Sequence, residues 1–529
     1  MKLKIIIIVT TFFVSKVLLA QENLKNLPEY SLPISNEKLV MAHCMTGMIR
    51  YKGHELEDSA KPEYYSPKNN ITASIGGLTQ VYVTSDSFLK EKTLDEAVEF
   101  EMRAAKRCGI DGFQFYYILG VKQWDEIIEA YFRVAEKENI SFKFSLCISH
   151  PSGRTENEKI AEFAERINGI MKVVGKDSRH WLRTPDGRLI TYLWYGEQLA
   201  DVPLNDKSLP KQYYYARAFK KLGKEIDDKL ACIPSLNERL SIEELDSWLD
   251  YFPSLWVWTL PYKSDYFGKL VSSQCKIRSR NFAGSAFCDF YTSKVLKPGT
   301  WNILQAPEAS KAGVNHLERK YIPTGLSFNF RKLLEFSIAE EVQIINLITW
   351  NDYPEGHHLA PEINRNYGFS VLLNYYKSIW KQEPSAFTNR DVAITFFKKY
   401  TNSVKPSPFN IPVVEFEKEA EKMPVEDSIE VVTIIPLAAF STVNGKTVAV
   451  EKGLTSSIFV SKPGPVVISL MRNQKEVLRL RTPEWITNNP YRTDRLTYSF
   501  SSECLNYHKD IFGDIRPVHS VEYNREATR

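Results

Sequence analysis

Val342-Gln343-Ile344-Ile345-Asn346-Leu347-Ile348 runs directly into Thr349-Trp350-Asn351-Asp352-Tyr353-Pro354-Glu355-Gly356-His357-His358. The first seven residues are mostly apolar and read as a buried strand. The next ten deliver two carboxylates, two imidazoles, an indole and a phenol at the end of that strand. A parallel strand that stops in such a cluster is where an α/β barrel places its chemistry. Two carboxylates near one cleft are the minimal equipment for cleaving a glycosidic bond. The ordinary alternative is a solvated acidic loop. Such loops rarely carry this density of Trp, Tyr and His beside the acids.

Upstream of this stretch the same alternation recurs. Strand-like segments lie at 39–45, 112–117, 142–149, 189–195, 230–234, 255–259 and 283–289, with 342–349 the eighth. Amphipathic helical patterns lie between them, at 94–108, 123–138, 158–173, 212–222, 266–275, 328–340 and 369–379. Eight strands alternating with helical stretches spell a (β/α)8 TIM-type barrel over residues 37–382. A doubly wound open sheet is the alternative, and no Gly-x-Gly-x-x-Gly turn after the first strand supports it.

Beyond Lys381 the period changes. Residues 383–425 read as a linker-like segment, punctuated by Pro406-Ser407-Pro408 and Pro412. Short β-rich runs follow at 428–436, 446–450, 455–460 and 466–472. The turn pairs Asn444-Gly445, Lys452-Gly453 and Pro463-Gly464 separate them. This predicts a small antiparallel β-sandwich over 426–487, followed by a polar tail, 488–529. Few Trp residues lie near its turns, which favours a bracing role over glycan binding.

Residues 1–20, with Lys2 and Lys4 before an apolar run and Leu18-Leu19-Ala20-Gln21 at its end, read as a secretory signal peptide. No later stretch approaches the ~20 apolar residues of a membrane span. The expectation is a secreted or periplasmic protein without an integral membrane segment once the signal is removed. The formal charge of +4 includes Lys2, Lys4 and Lys16, so it gives no argument for nucleic acid as a partner. The seven Cys are scattered, with no Cys-x-x-Cys, and read as small buried hydrophobes with room for one disulfide at most. The 29 Phe, 27 Tyr and 10 Trp exceed what points to any one use, but sugar-binding clefts do employ aromatic faces.

The other strand ends add candidates for contact with a saccharide. His43 closes the first strand and Tyr116 the second. Trp194 and Tyr195 end the fourth as a sugar platform, Trp258 ends the sixth, and Asp289 ends the seventh. Glu197 is a reserve carboxylate that reads as a solvated loop acid. In the main motif, Trp350, Asn351, Tyr353 and His357 surround Asp352 and Glu355, which are spaced i, i+3 across a turn containing Pro354. That spacing lets both acids face one cleft without touching. An inverting glycosidase needs about 6.5–9.5 Å between them and a retaining one about 5–5.5 Å. A metal reading on Asp352, Glu355, His357 and His358 competes, but adjacent His side chains diverge from an extended chain. No His-Glu-x-x-His appears either, and no Gly-x-Ser-x-Gly elbow supports acyl transfer.

Leu39–Met45, Gly109–Phe113 and above all Thr349–His357 resemble glycoside hydrolase family 71, the endo-α-1,3-glucanases or mutanases. The family pattern at the last site is Thr-Trp-Asn-Asp-Tyr-Gly-Glu-Ser-His. This chain has Pro354 and Gly356 in place of the Gly and Ser, and no acid at the end of its third strand, Phe144–His150, which marks a divergent branch. The run Glu430–Ile435 resembles the family's C-terminal module. The resemblance implies a (β/α)8 catalytic domain and endo-hydrolysis of an α-1,3-glucan polysaccharide with inversion. It implies no metal or other cofactor. Asp352 and Glu355 fall on the family's paired acids, with Glu355 as general acid and Asp352 as the base that activates water. Two alternatives stand beside it. One is an α-mannan hydrolase like those of family 99, which carry a similar i, i+3 pair. The other is a glycan-binding protein without catalysis.

Overall fold

The computed structural model describes residues 34–54, 86–204, 208–292, 296–302, 316–362, 365–404, 413–415, 426–488 and 495–515. The signal-peptide reading of residues 1–20 lies outside them. Among the described residues, no helix is long and apolar enough to cross a membrane.

Eight parallel strands close into a barrel: β1 (Leu39–Cys44), β2 (Gly112–Tyr117), β3 (Lys143–Ser149), β4 (Leu189–Trp194), β5 (Leu230–Leu236), β6 (Ser254–Val257), β7 (Asn281–Phe287) and, after a short outer strand β8 (Arg319–Tyr321), β9 (Ile344–Ile348). β9 pairs with β7 on one side and β1 on the other, which completes the ring. Each barrel strand is followed by a helix. These are α1 (Leu94–Arg107), α2 (Gln123–Lys137), α3 (Glu156–Val174), α4 (Lys211–Glu225), α5 (Ile242–Leu249), α6 (Phe267–Ile277), α7 (Phe328–Ala339) and α8 (Gly368–Lys381). The sequence periodicity anticipates all of these helices except α5, whose eight residues are too few to declare a period.

The local chemistry explains where helices begin. Thr93, Thr155 and Ser241 each accept the backbone N–H three residues on, and Glu96, Glu158 and Glu244 reach back to the cap. These capping boxes satisfy donors that the first turn leaves unpaired. Along β2, Phe113 and Phe115 pack outward on Tyr131 of α2. Gln114 points inward and donates to Asn346 of β9 at 3.2 Å. All seven Cys are buried thiols.

The C-terminal region forms two four-stranded antiparallel sheets. One holds β15 (Gly453–Val460), β12 (Ser428–Ile435), β10 (Val392–Lys398) and β18 (Thr497–Ser501). The other holds β14 (Lys446–Val450), β13 (Ala439–Val443), β16 (Gly464–Arg472) and β17 (Lys475–Ile486). Strand β11 (Val413–Glu415) instead pairs with β8. The sheets pack face to face over Phe397, Ile429, Val431, Val466, Ile468 and Leu470. The opposite face of the first sheet, with Ile394, Phe396, Val432 and Ile434, joins the barrel core. Two readings of the sequence are thereby corrected. The span 383–425, read as linker-like, contains β10. The span 488–529, read as a polar tail, contains β18 and a helix, α9 (Cys504–Phe512). β10 is buried on both faces, so its apolar run shows no alternation to betray it.

Charged residues join sandwich to barrel in pairs, as buried charges must. Arg331 of α7 lies 2.7 Å from Glu430 of β12, and Ser327 N–H donates to the other Glu430 oxygen at 2.9 Å.

Candidate active site

The loop after β9 folds back on itself at the C-terminal mouth of the barrel. Thr349 N–H donates to His357 O (3.0 Å), Leu359 N–H returns to Thr349 O (3.0 Å), and Trp350 N–H donates across to His43 O at the end of β1 (2.7 Å). Between these anchors, residues 353–355 make one tight turn, with Pro354 at its start and Gly356 left-handed at its end. This turn presents Asp352 and Glu355 on the same side of His357.

His357 is fully buried and organises the acids. Its Nε2 lies 3.2 Å from Glu355 Oε2 and 3.9 Å from Asp352 Oδ2. Its Nδ1 meets Thr349 Oγ1 at 3.3 Å, and that hydroxyl accepts the Asp352 N–H at 2.9 Å. One oxygen of each carboxylate and one ring nitrogen of His357 lie within 4.8 Å of one another. The three groups are close enough to hold a divalent cation. His358 does not join them. It turns under the loop toward Glu362 (3.8 Å), and burial with the nearby Arg365 pushes it down to about 4.

Around the pair the strand ends supply an aromatic wall. His43 is buried, with its ring edge-on to Tyr116 (5.8 Å) and Trp258 (5.2 Å). Burial, reinforced by His357, lowers its pKa to about 3, so it is neutral at working pH. Trp258 packs on Trp194 at 4.0 Å and meets His357 at 6.5 Å. Tyr195, left-handed at φ 51, stands at the rim and stacks on His150 at 4.8 Å. Glu197, read as a solvated acid, is largely enclosed, and burial raises its pKa.

Four expected contacts lie elsewhere. Trp350 points away from the cleft into the layer between barrel and helices, where its indole N–H donates to buried Glu101 of α1 at 2.5 Å. Side chains alternate along an extended chain, and Thr349 takes the inward position. Asn351 is occupied by backbone: its amide accepts Met45 N–H (2.8 Å) and donates to Met45 O (3.2 Å), which braces the β1 loop. Asp289 turns to the C-terminal sheet, accepting Thr497 N–H at 2.5 Å with Lys398 at 3.7 Å. Tyr353 is buried against His358 at 4.8 Å, below the acids. Sequence reasoning missed Thr349, His150, Phe290 and Glu101. The first three follow strand ends, a usable signal, and Phe290 stacks on His357 at 5.7 Å. Glu101 sits within a helix, 249 residues from its partner, and carries no such signal.

No protein-family model matches this chain, and no curated protein does. Among solved structures it is similar to a GH99 endo-alpha-mannosidase from Bacteroides thetaiotaomicron, at 10% identity and TM-score 0.42, over 66% of this chain and 99% of that one. It is also similar to a glycosyl hydrolase family 2 member from Bacteroides cellulosilyticus, at 12% identity and TM-score 0.38, over 74% of this chain and 44% of that one. A GH18 chitinase from Flavobacterium johnsoniae matches at 12% identity and TM-score 0.26, over 53% of this chain and 92% of that one. The case for this chain's chemistry rests on the site itself.

Proposed function

We propose that this chain is an exported glycoside hydrolase that cleaves α-1,3-glucan within the polymer, with Asp352 and Glu355 as its acid pair. The observation that carries the reading is the convergence of both carboxylates on His357 at the barrel mouth, beneath a wall of Trp258, Trp194 and Tyr195. Binding alone does not need two acids in one place. Cleavage needs one to protonate the leaving oxygen and one to act at the anomeric carbon.

Glu355 lies at the mouth with its carboxylate partly open, and Asp352 lies deeper. This favours Glu355 as the acid that meets the glycosidic oxygen. The family resemblance implies inversion, which needs about 6.5–9.5 Å between the acids to seat a water. Here one oxygen of each carboxylate lies within 4.8 Å of the other, a closest approach that favours the arrangement, with carboxyl groups roughly 5–5.5 Å apart, in which the second acid attacks carbon directly. We therefore assign Asp352 as nucleophile and retention as the outcome, in place of the water-activating base. His43, Tyr116, Trp194, Tyr195 and Trp258 form the saccharide wall. Trp350, Asn351 and Asp289 hold the scaffold.

The test is reducing-sugar release from insoluble α-1,3-glucan by the purified mature chain, with α-1,6-mannan, α-1,4-glucan and β-1,3-glucan alongside. Release from α-1,3-glucan alone, unchanged by EDTA, is the expected result. Release only from α-1,6-mannan moves the substrate while keeping the acids. Silence on all four removes the reading.

A further inference from the structure

The loop between β7 and β8 carries an indole that no part of the acid machinery uses. Trp301 is 49% exposed, which is unusual for the largest apolar side chain. Its position is built. Leu296 and Glu318 exchange two backbone hydrogen bonds at 2.9 Å. Between them, Thr300 N–H and Oγ1–H both donate to Lys297 O, at 3.1 and 2.7 Å, and Lys297 N–H donates to Asn302 O. This closed turn presents Trp301. The ammonium of Lys320 lies over the ring, 4.2 Å from its centroid. Lys320 is itself nearly buried and sits 3.8 Å from Glu318. A cation held against one face by a buried carboxylate fixes the ring plane, and about half of the indole still meets solvent.

The ring is also in register with the site. Phe290 meets Trp301 edge-on at 6.3 Å and stacks on His357 at 5.7 Å. From His357 the succession continues through Trp258 (6.5 Å) and Trp194 (4.0 Å) to Tyr195 (5.1 Å). The aromatic arc thus has exposed rings at its two ends, Tyr195 and Trp301, and the acid pair near its middle. An aromatic face at each end of a cleft suits a chain of pyranose rings, whose C–H faces pack on π-systems.

Resting on the glycosidase reading above, we infer that Trp301 is a second sugar platform, beyond His357 from Trp194 and Tyr195, so that a glycan chain is gripped on both sides of the bond to be cut. This is what action within a polymer requires.

The experiment is calorimetric titration of short and long α-1,3-glucan oligosaccharides, and of α-1,6-mannan oligosaccharides, into the Glu355→Gln protein with and without Trp301→Ala or Trp301→Phe. Reducing-sugar release by the wild type is measured in parallel. The expected result is that long oligosaccharides bind more tightly than short ones, and that Trp301→Ala weakens the long ones about tenfold, or ~1.4 kcal/mol. The length advantage then disappears, and Trp301→Phe restores most of it. A full length advantage in Trp301→Ala overturns the platform while leaving the hydrolase reading intact. Binding without sugar release by the wild type removes the hydrolase reading, and the same titration still decides Trp301. No binding to either series overturns the platform, and the wild type's sugar release decides the hydrolase reading separately.

Discussion

The ring nitrogen of His357 and the carboxylate of Glu355 meet at 3.2 Å inside a site from which His357 has no solvent exposure. The bond is fixed from behind, because Thr349 Oγ1 holds the other ring nitrogen and also receives the Asp352 N–H. One hydroxyl thus sets both the ring and the backbone under the second acid. His357 is a positioning residue for Glu355. His357→Ala should lower kcat by about 10–100-fold, the equivalent of one ~1.5–3 kcal/mol hydrogen bond to a charged group. It should also move the limb of the pH–rate profile that reports Glu355. A fall in kcat with an unmoved profile would point to simple disruption.

The two acids should separate by leaving group. Glu355→Gln removes the proton donor, so turnover of polysaccharide should drop by roughly 10²–10⁴-fold. An aryl glycoside whose leaving group needs no proton should keep much of its rate. Asp352→Asn should lose both. Equal losses for Glu355→Gln on the two substrates would reverse the assignment of acid and nucleophile.

Stereochemistry gives an independent reading of the spacing. With one oxygen of each carboxylate within 4.8 Å of the other, the first sugar released should carry the anomeric configuration of the bond it came from. Proton NMR of the earliest product, before mutarotation, should show the α anomer. A β anomer would mean that the acids part on binding to admit a water.

The barrel was legible because its strands and helices repeat with clear periods, and the acids because Asp352 and Glu355 sit beside rings at a strand end. Direction was less legible than proximity. Trp350 and Asn351 lie in the same motif, yet one faces Glu101 and the other Met45. Only the alternation of Thr349 inward and Trp350 outward separates them, and the turn that follows breaks any period. Asp289 also follows a strand end, but its partner Thr497 belongs to a strand that polar sequence conceals. Long-range partners of this kind are set by the tertiary fold, which local pattern does not encode.

Glu101 should make stability depend on pH. Burial raises its carboxyl from 4.5 to about 7, and the Trp350 N–H opposes this in part. The folded state therefore holds a proton that the unfolded chain releases near 4.5. This contribution is complete below pH 4.5 and declines as pH rises toward 7, by an amount on the order of a few kcal/mol. Glu101→Gln keeps an oxygen for Trp350 and removes the titration. Chemical denaturation at pH 5 and pH 8 should show a smaller difference for Glu101→Gln than for the wild type. Identical differences would place the Glu101 proton elsewhere.

Gly356 links the acid loop to the C-terminal sheet. Its φ of +68 is left-handed, and a Cβ there would lie 2.6 Å from Leu496 Cδ2 and 3.0 Å from Tyr291 O. Two costs follow for Gly356→Ala: about 1–2 kcal/mol for the backbone conformation, and displacement of Leu496, which is buried beside β18. The backbone next to Glu355 would shift with it, because Glu355 O accepts the Tyr291 N–H at 3.0 Å. Gly356→Ala should therefore lower both Tm and kcat. Gly356→Asn accepts the left-handed conformation more readily, but still meets Leu496 and Tyr291. If backbone strain is the main cost, Asn should recover most of the loss in Tm. If contact with the sheet is the main cost, Asn should be no better than Ala, and the sandwich is then a brace that holds Glu355 in place.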